Sequence, residues 1–270
     1  LLKNLRITLR SSTNKYLDDN LSNVTREIKS DGIEIKPNVV LILVESLSAE
    51  FLGTYGNQRD LTPNLDALAK ESLFFNNIYA TGTRTVRGME AVTLSIPPTP
   101  GRSIVKRTDN KNMFSAGFVF ADKGYENHFI YGGYGYFDNM NTFYESNGFK
   151  IIDRSNFTKD ETTFGNVWGL CDEDLLQKSI TVADENYQNK KPFFNFIMTT
   201  SNHRPFTYPN GNIDIPSKTG RDGAVKYTDY AIGNFIKKAK TKPWFDNTVF
   251  VIVADHCANS AGKTELPVEK

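Results

Sequence analysis

Short apolar runs that stop abruptly at a charged residue dominate the pattern of this chain. In NVVLILVES, residues 38–46, six apolar residues from Val39 to Val44 end at Glu45. A run rich in Val, Ile and Leu, entered from Pro37, predicts a strand buried on both faces. NTVFVIVADH, residues 247–256, has the same form and ends in Asp255-His256. A carboxylate at the end of a core strand is costly to bury without a partner. In open α/β sheets the C-terminal ends of the strands are where ligands bind. Two core strands ending in Glu and in Asp-His predict one shared metal site.

Between these runs, strand and helix patterns alternate. Strands are predicted at 73–79, 126–131, 149–153 and 193–199. Helices are predicted from Thr62-Pro63 to about 72, and at 85–95, 111–123, 172–188 and 222–240. Thr62 is a good N-cap and Pro63 suits a first helical turn. The acidic start of 172–188 suits the helix dipole. Residues 96–102, IPPTPGR, read as a rigid loop, and 132–138, GGYGYFD, as a Gly/aromatic loop of the kind that lines sites. The alternation predicts an α/β fold with a central, largely parallel β-sheet flanked by helices. Residues 1–36 are polar, with helical spacing at Leu17, Leu21, Val24 and Ile28 and a break at Asp31-Gly32. They read as a helical arm or linker leading into a domain at 37–270.

Composition narrows the function classes. The chain has 270 residues, 39% hydrophobic and 23% charged, which suits a soluble α/β domain of this size. A net charge of +1 gives no basic patch for nucleic acid. No apolar run is long enough to span a bilayer, and none reads as a signal peptide. Two cysteines, Cys171 and Cys257, form neither a disulfide framework nor a CxxC pair. The chain starts mid-pattern without Met and reads as a fragment of something longer.

The candidate chemistry gathers at element ends. Glu45, Asp255 and His256, with one further oxygen, make a mixed O and N donor set that suits Mn²⁺ or Zn²⁺ better than Ca²⁺. Thr85 opens a predicted helix after a Gly-containing loop, among free N–H groups at the positive end of the dipole. There a hydroxyl, its pKa lowered by a nearby cation, is an activated nucleophile for an anionic group such as phosphoryl. His203 follows the 193–199 strand and is placed to hold or protonate a phosphate ester. Arg84 and Arg87 flank Thr85 and suit a phosphate clamp. Each residue also has an ordinary structural reading: Thr85 and Asp255 as caps, the histidines as surface or packed groups, the arginines as solvated. His128, inside a predicted strand, reads as structural.

Taken together, these stretches resemble the alkaline phosphatase/sulfatase superfamily, and more narrowly its lipoteichoic acid synthase and phosphoglycerol transferase branch. The matching pieces are residues 38–46 with Glu45, DLTPNLDAL at 60–68, GTRTVRG at 82–88, TSNHRPF at 200–206 and VADH at 253–256. The resemblance implies one divalent ion, usually Mn²⁺ with Zn²⁺ or Mg²⁺ as substitutes, bound by Glu45, Thr85, Asp255 and His256. It makes Thr85 also the nucleophile, passing through a phosphothreonine, and puts His203 in the substrate pocket. Phe137 and Asn139 fall where the branch has a Trp and an Arg at the lipid headgroup. It implies transfer of phosphoglycerol from a glycerophospholipid to a glycan or glycerophosphate acceptor, outside the cytoplasmic membrane, periplasmic or on its outer face. It also implies anchoring by membrane helices absent from this chain, and more domain beyond Lys270. The sulfatase nucleophile pattern, Cys or Ser followed by x-Pro-x-Arg, is missing around Thr85, which speaks against sulfate-ester hydrolysis, and no second metal's ligands are evident. Alternatives on the same scaffold are a phosphodiesterase, a phosphoethanolamine transferase, a sulfatase-type hydrolase, or a silent domain that holds an anionic headgroup.

Overall fold

A computed structural model describes residues 2–10, 12–29 and 32–258. The chain divides into two compact units, Leu1–Lys36 and Pro37–Lys270. The tail of the expected domain, 259–270, and Asp31 of the expected break lie outside the described residues.

The first unit holds one short helix, α1 (Leu2–Thr8), and an antiparallel pair, β1 (Asn14–Tyr16) with β2 (Arg26–Ile28). The expected helix through Leu17, Leu21, Val24 and Ile28 is therefore a hairpin. The cause is local. The side chains of Asp18, Asn20 and Asn23 each accept from the backbone N–H two residues on, at Asn20, Ser22 and Thr25. Such turns compete directly with helical hydrogen bonds. Arg6 reinforces the loop by donating to the carbonyls of Asp18, Asn20 and Asn23, with its guanidinium 4.0 Å over the Tyr16 ring.

The second unit is built on a five-stranded sheet: β3 (Asn38–Val44), β4 (Glu126–Tyr131), β5 (Lys150–Ile152), β6 (Phe193–Met198) and β7 (Thr248–Ala254). Every pairing is parallel, in the spatial order β5-β4-β6-β3-β7. The helices are α2 (Pro63–Glu71), α3 (Thr85–Leu94), α4 (Ala116–Asp122), α5 (Met140–Glu145), α6 (Asp172–Gln188) and α7 (Arg221–Ala239). Side chains alternate across the sheet, as strand geometry requires. Val40, Ile42 and Val44 pack with α6 and α7 residues such as Leu175, Ile232 and Phe235. Leu43 faces the other way, with Val86 and Met89 of α3 and an aromatic group that includes Phe129 and Tyr144, stacked at 3.8 Å between centroids. The register then places the site. Val44 lies beside Ala254, so Glu45 and Asp255 leave the sheet side by side.

Two expected elements differ. Residues 73–79 form no strand and are exposed throughout. Among the described residues no neighbour supplies a ladder, and an apolar run does not make a strand without one. The helix expected at 111–123 starts only at Ala116, where Ser115 caps it by accepting from the Phe118 N–H at 3.2 Å. No helix among the described residues is long and apolar enough to cross a membrane.

Candidate active site

Glu45 is held at both ends. Its N–H donates to Thr199 Oγ1 at 2.9 Å, and its carbonyl accepts from Asn202 Nδ2 at 2.9 Å. Ser46 Oγ donates to Glu45 Oε1 at 2.6 Å. Ser46 itself has φ 50°, so the chain turns sharply straight after the strand. Across the register, Asp255 Oδ1 accepts from the Ser46 and His256 N–H groups, both at 2.7 Å. Asp255 Oδ2 is buried with no hydrogen-bond donor. His256 Nδ1 lies 2.9 Å from the Cys257 carbonyl, so that nitrogen carries the proton. Nε2 then faces Glu45 Oε1 at 3.7 Å and Asp255 Oδ2 at 3.4 Å. One ligand atom from each of Glu45, Asp255 and His256 lies within 4.8 Å of the others.

This donor set fits a divalent cation. Two buried carboxylates and an imidazole lone pair converge on one point, which is repulsive without positive charge between them. Burial, and next the charge of Glu45, hold the Asp255 carboxyl well above the usual carboxylate range. A bound cation would reverse that and give Oδ2 its missing partner.

Thr85 joins the group from a third element. It is the first residue of α3, and its hydroxyl donates to Glu45 Oε2 at 3.1 Å. Arg84, as N-cap, supplies no side-chain cap, so the α3 N-terminus faces the cleft with its first N–H groups. The depth at which α3 sits is set by Gly88: a Cβ there would lie 2.8 Å from the Asp255 Cα and overlap its carbonyl.

Around these residues lies a cleft of ≈ 480 Å³. Arg84, Phe137 and His203 line it, as do Lys106, Trp168, Arg204 and Arg221. His203 Nδ1 is 2.9 Å from the Arg204 carbonyl, and its ring lies 3.9 Å from that of Trp168. Trp168 in turn meets Phe137 edge-on at 5.7 Å. Two of the expected substrate contacts point elsewhere. Arg87 pairs at 2.6 Å with Glu90, a fully buried carboxylate that also accepts from Ser103 Oγ and the Ile104 N–H. Asn139, at φ 64°, donates to the Val105 carbonyl at 3.0 Å and so braces a loop. Its place beside Thr85 suggested Arg87 and the family resemblance suggested Asn139; their hydrogen bonds tie both to the scaffold.

Several residues at the site were not singled out from the sequence. Arg204, which lines the cleft, and Asn202, which braces the Glu45 and Ser46 carbonyls, stand inside the TSNHRPF stretch and could have been noticed there. Arg221 gave a weaker signal, a basic residue opening a helix, which is the wrong sign for the dipole. Lys106 and Trp168 carried none.

A parallel sheet with two buried carboxylates and an imidazole gathered at its strand ends, and a hydroxyl at a helix N-terminus beside them, defines a class of α/β folds with a candidate metal centre. The chain belongs to the sulfatase family, whose model matches residues 37–268, within the alkaline phosphatase superfamily. Among curated relatives it is similar to phosphoglycerol transferase I of Escherichia fergusonii, 30% identical over 247 residues. That match covers 84% of this chain and 32% of the relative, so the chain spans about a third of such proteins. Among solved structures it is similar to an alkaline phosphatase superfamily protein from Vibrio parahaemolyticus, with TM-score 0.81 and 43% identity, covering 87% of this chain and 58% of that one. The lipoteichoic acid synthase LtaP from Listeria monocytogenes follows at TM-score 0.74 and 26% identity, covering 83% and 57% respectively.

Proposed function

We propose that this chain is the phosphotransfer domain of a metal-dependent phosphoglycerol transferase acting on a glycerophospholipid through a phosphothreonine at Thr85. The observation that carries the reading is the hydrogen bond of Thr85 to Glu45 at 3.1 Å, within a buried Glu45–Asp255–His256 group whose Asp255 Oδ2 has no donor. The names of the relatives supply the substrate class.

A divalent cation, Mn²⁺ in this reading, would be held by Glu45, Asp255 and His256 with Thr85, and would lower the pKa of the hydroxyl and offset the phosphoryl charge. The remaining work falls to side chains of the chain. Glu45 Oε2 accepts the Thr85 hydrogen bond, orients the oxygen and takes its proton. Thr85 Oγ1 forms a bond to phosphorus, and the bond from phosphorus to the diacylglycerol oxygen breaks. His203, with Nδ1 committed to a carbonyl, gives the departing oxygen a proton from Nε2. In the second half an acceptor hydroxyl returns a proton to His203 and attacks the phosphothreonine, and Thr85 recovers its own from Glu45. Arg84 and the N–H groups of α3 hold the non-bridging oxygens. Phe137 and Trp168 form a wall for the glycerol.

The test is to incubate the protein with a glycerophospholipid and Mn²⁺ and to search for a phosphoglycerol adduct on Thr85 by mass spectrometry. The expected result is the adduct in the parent protein and none in Thr85→Ala, with turnover at least 10³-fold lower, on the order of other losses of a nucleophile. Undiminished turnover by Thr85→Ala would overturn the reading.

A further inference from the structure

We infer that Arg204 and Arg221 form an oxyanion subsite beside the Glu45 group, taking a phosphate oxygen of the substrate. The inference deepens the proposed function and rests on it for the identity of the substrate. Both residues line the cleft. Two other cations near the cleft are neutralised, Lys106 by Asp138 and Arg87 by Glu90, and Arg84 already has its place beside Thr85. Among the described residues, neither Arg204 nor Arg221 has a carboxylate within ion-pair distance.

Arg221 is the more telling of the two. It is half-buried, and its one hydrogen bond among the described residues is a long one, 3.5 Å to the Asn202 carbonyl. A guanidinium has five N–H donors, so most of this one is unmet. It also lies over the face of Phe206, 4.9 Å from the ring centroid. Phe206 is held at φ 60°, a conformation uncommon for a bulky residue that persists only where the surrounding structure fixes it. Arg221 also opens α7, where its charge opposes the helix dipole. Burial lowers its pKa, and Arg204 adds repulsion while Glu45 works the other way. Two like charges kept together, one half-buried and at a helix N-terminus, describe a seat for an anion with paired oxygens, for which guanidinium is the matching donor. Phosphate has that geometry.

The oxygen belongs either to the phosphoryl group attacked at Thr85 or to a second phosphate elsewhere on the substrate. The experiment begins with inorganic phosphate titrated by calorimetry into the Thr85→Ala protein in EDTA, so that neither chemistry nor a cation contributes. Arg221→Met and Arg204→Met are each expected to weaken binding at least fivefold, Arg221→Lys less, and Arg102→Met, outside the cleft, not at all. Equal affinity in all four overturns the subsite. Because Arg204 is exposed, its variant answers even where Arg221→Met folds poorly. With Thr85 restored, the two sources separate. Slower phosphothreonine formation by at least tenfold assigns the oxygen to the transferred group. A KM raised for a phosphate-bearing acceptor, but not for a neutral one, assigns it to a second phosphate. Absence of any phosphothreonine in the parent protein would remove the transfer reading, while the phosphate titration still decides the subsite.

Discussion

Single residues here carry charge that their surroundings alone would not tolerate. Glu45, Asp255 and His256 were legible in the sequence because each ends an apolar run, and a charged group in that place needs a reason. Thr85 and His203 were legible from local motifs. Arg221 and Trp168 were not, because what matters about them is which distant segment they face. His128 shows the opposite case, a titratable group that serves the core. It is buried on β4, with Nδ1 3.1 Å from Asn195 Oδ1. Burial holds its imidazole below the ordinary histidine range, with the Asn195 bond acting the other way. The unfolded chain therefore takes up a proton that the folded one refuses. The stability His128 permits is whole above a pH of about 6.5 and is lost as pH falls below it. Urea unfolding is expected to give a lower free energy at mildly acidic pH than near neutrality. His128→Gln should remove part of that slope, at most about 1.4 kcal/mol per pH unit. An unchanged slope would mean that other groups control it.

At the scale of elements, the helix at 85–94 and all five strands of the sheet were readable from periodicity and from what ended each run. The hairpin at 14–28 was not, because three Asx turns outweigh an apolar spacing that is merely compatible with a helix. The coil at 73–79 was misread for a different reason: strand formation depends on a partner that local sequence does not mention. How α3 meets β7 was also hidden, since it depends on the absence of a side chain. Gly88 lets the helix backbone rest against Asp255, and the buried Glu90 ties the same helix to Ser103 and Ile104. Gly88→Ala is expected to push α3 outward, at about 1–3 kcal/mol in overpacking. Thr85 would move away from Glu45 with it. The measurable outcome is a lower Tm together with a weaker Mn²⁺ affinity. A variant that loses stability but binds Mn²⁺ as before would show that helix depth does not govern the site.

For the whole molecule, the converging carboxylates predict that the folded state gains from a cation the unfolded state cannot hold. At a Mn²⁺ concentration 100 times its Kd the gain is about 2.7 kcal/mol. Thermal melts with Mn²⁺ and with EDTA should differ accordingly, and Glu45→Gln should abolish the difference. Melting points that do not respond to Mn²⁺ in the parent protein would contradict the metal reading. The spatial order of the sheet has one more consequence. Among the described residues β3 is the first strand of the sheet to be made, yet one of its flanks waits for β7, some 210 residues later. On a translating ribosome the carboxylate of residue 45 would emerge early and remain without its companions until some 210 further residues had been synthesised. Manganese capture by a stalled nascent chain should therefore switch on only when residue 256 has cleared the exit tunnel.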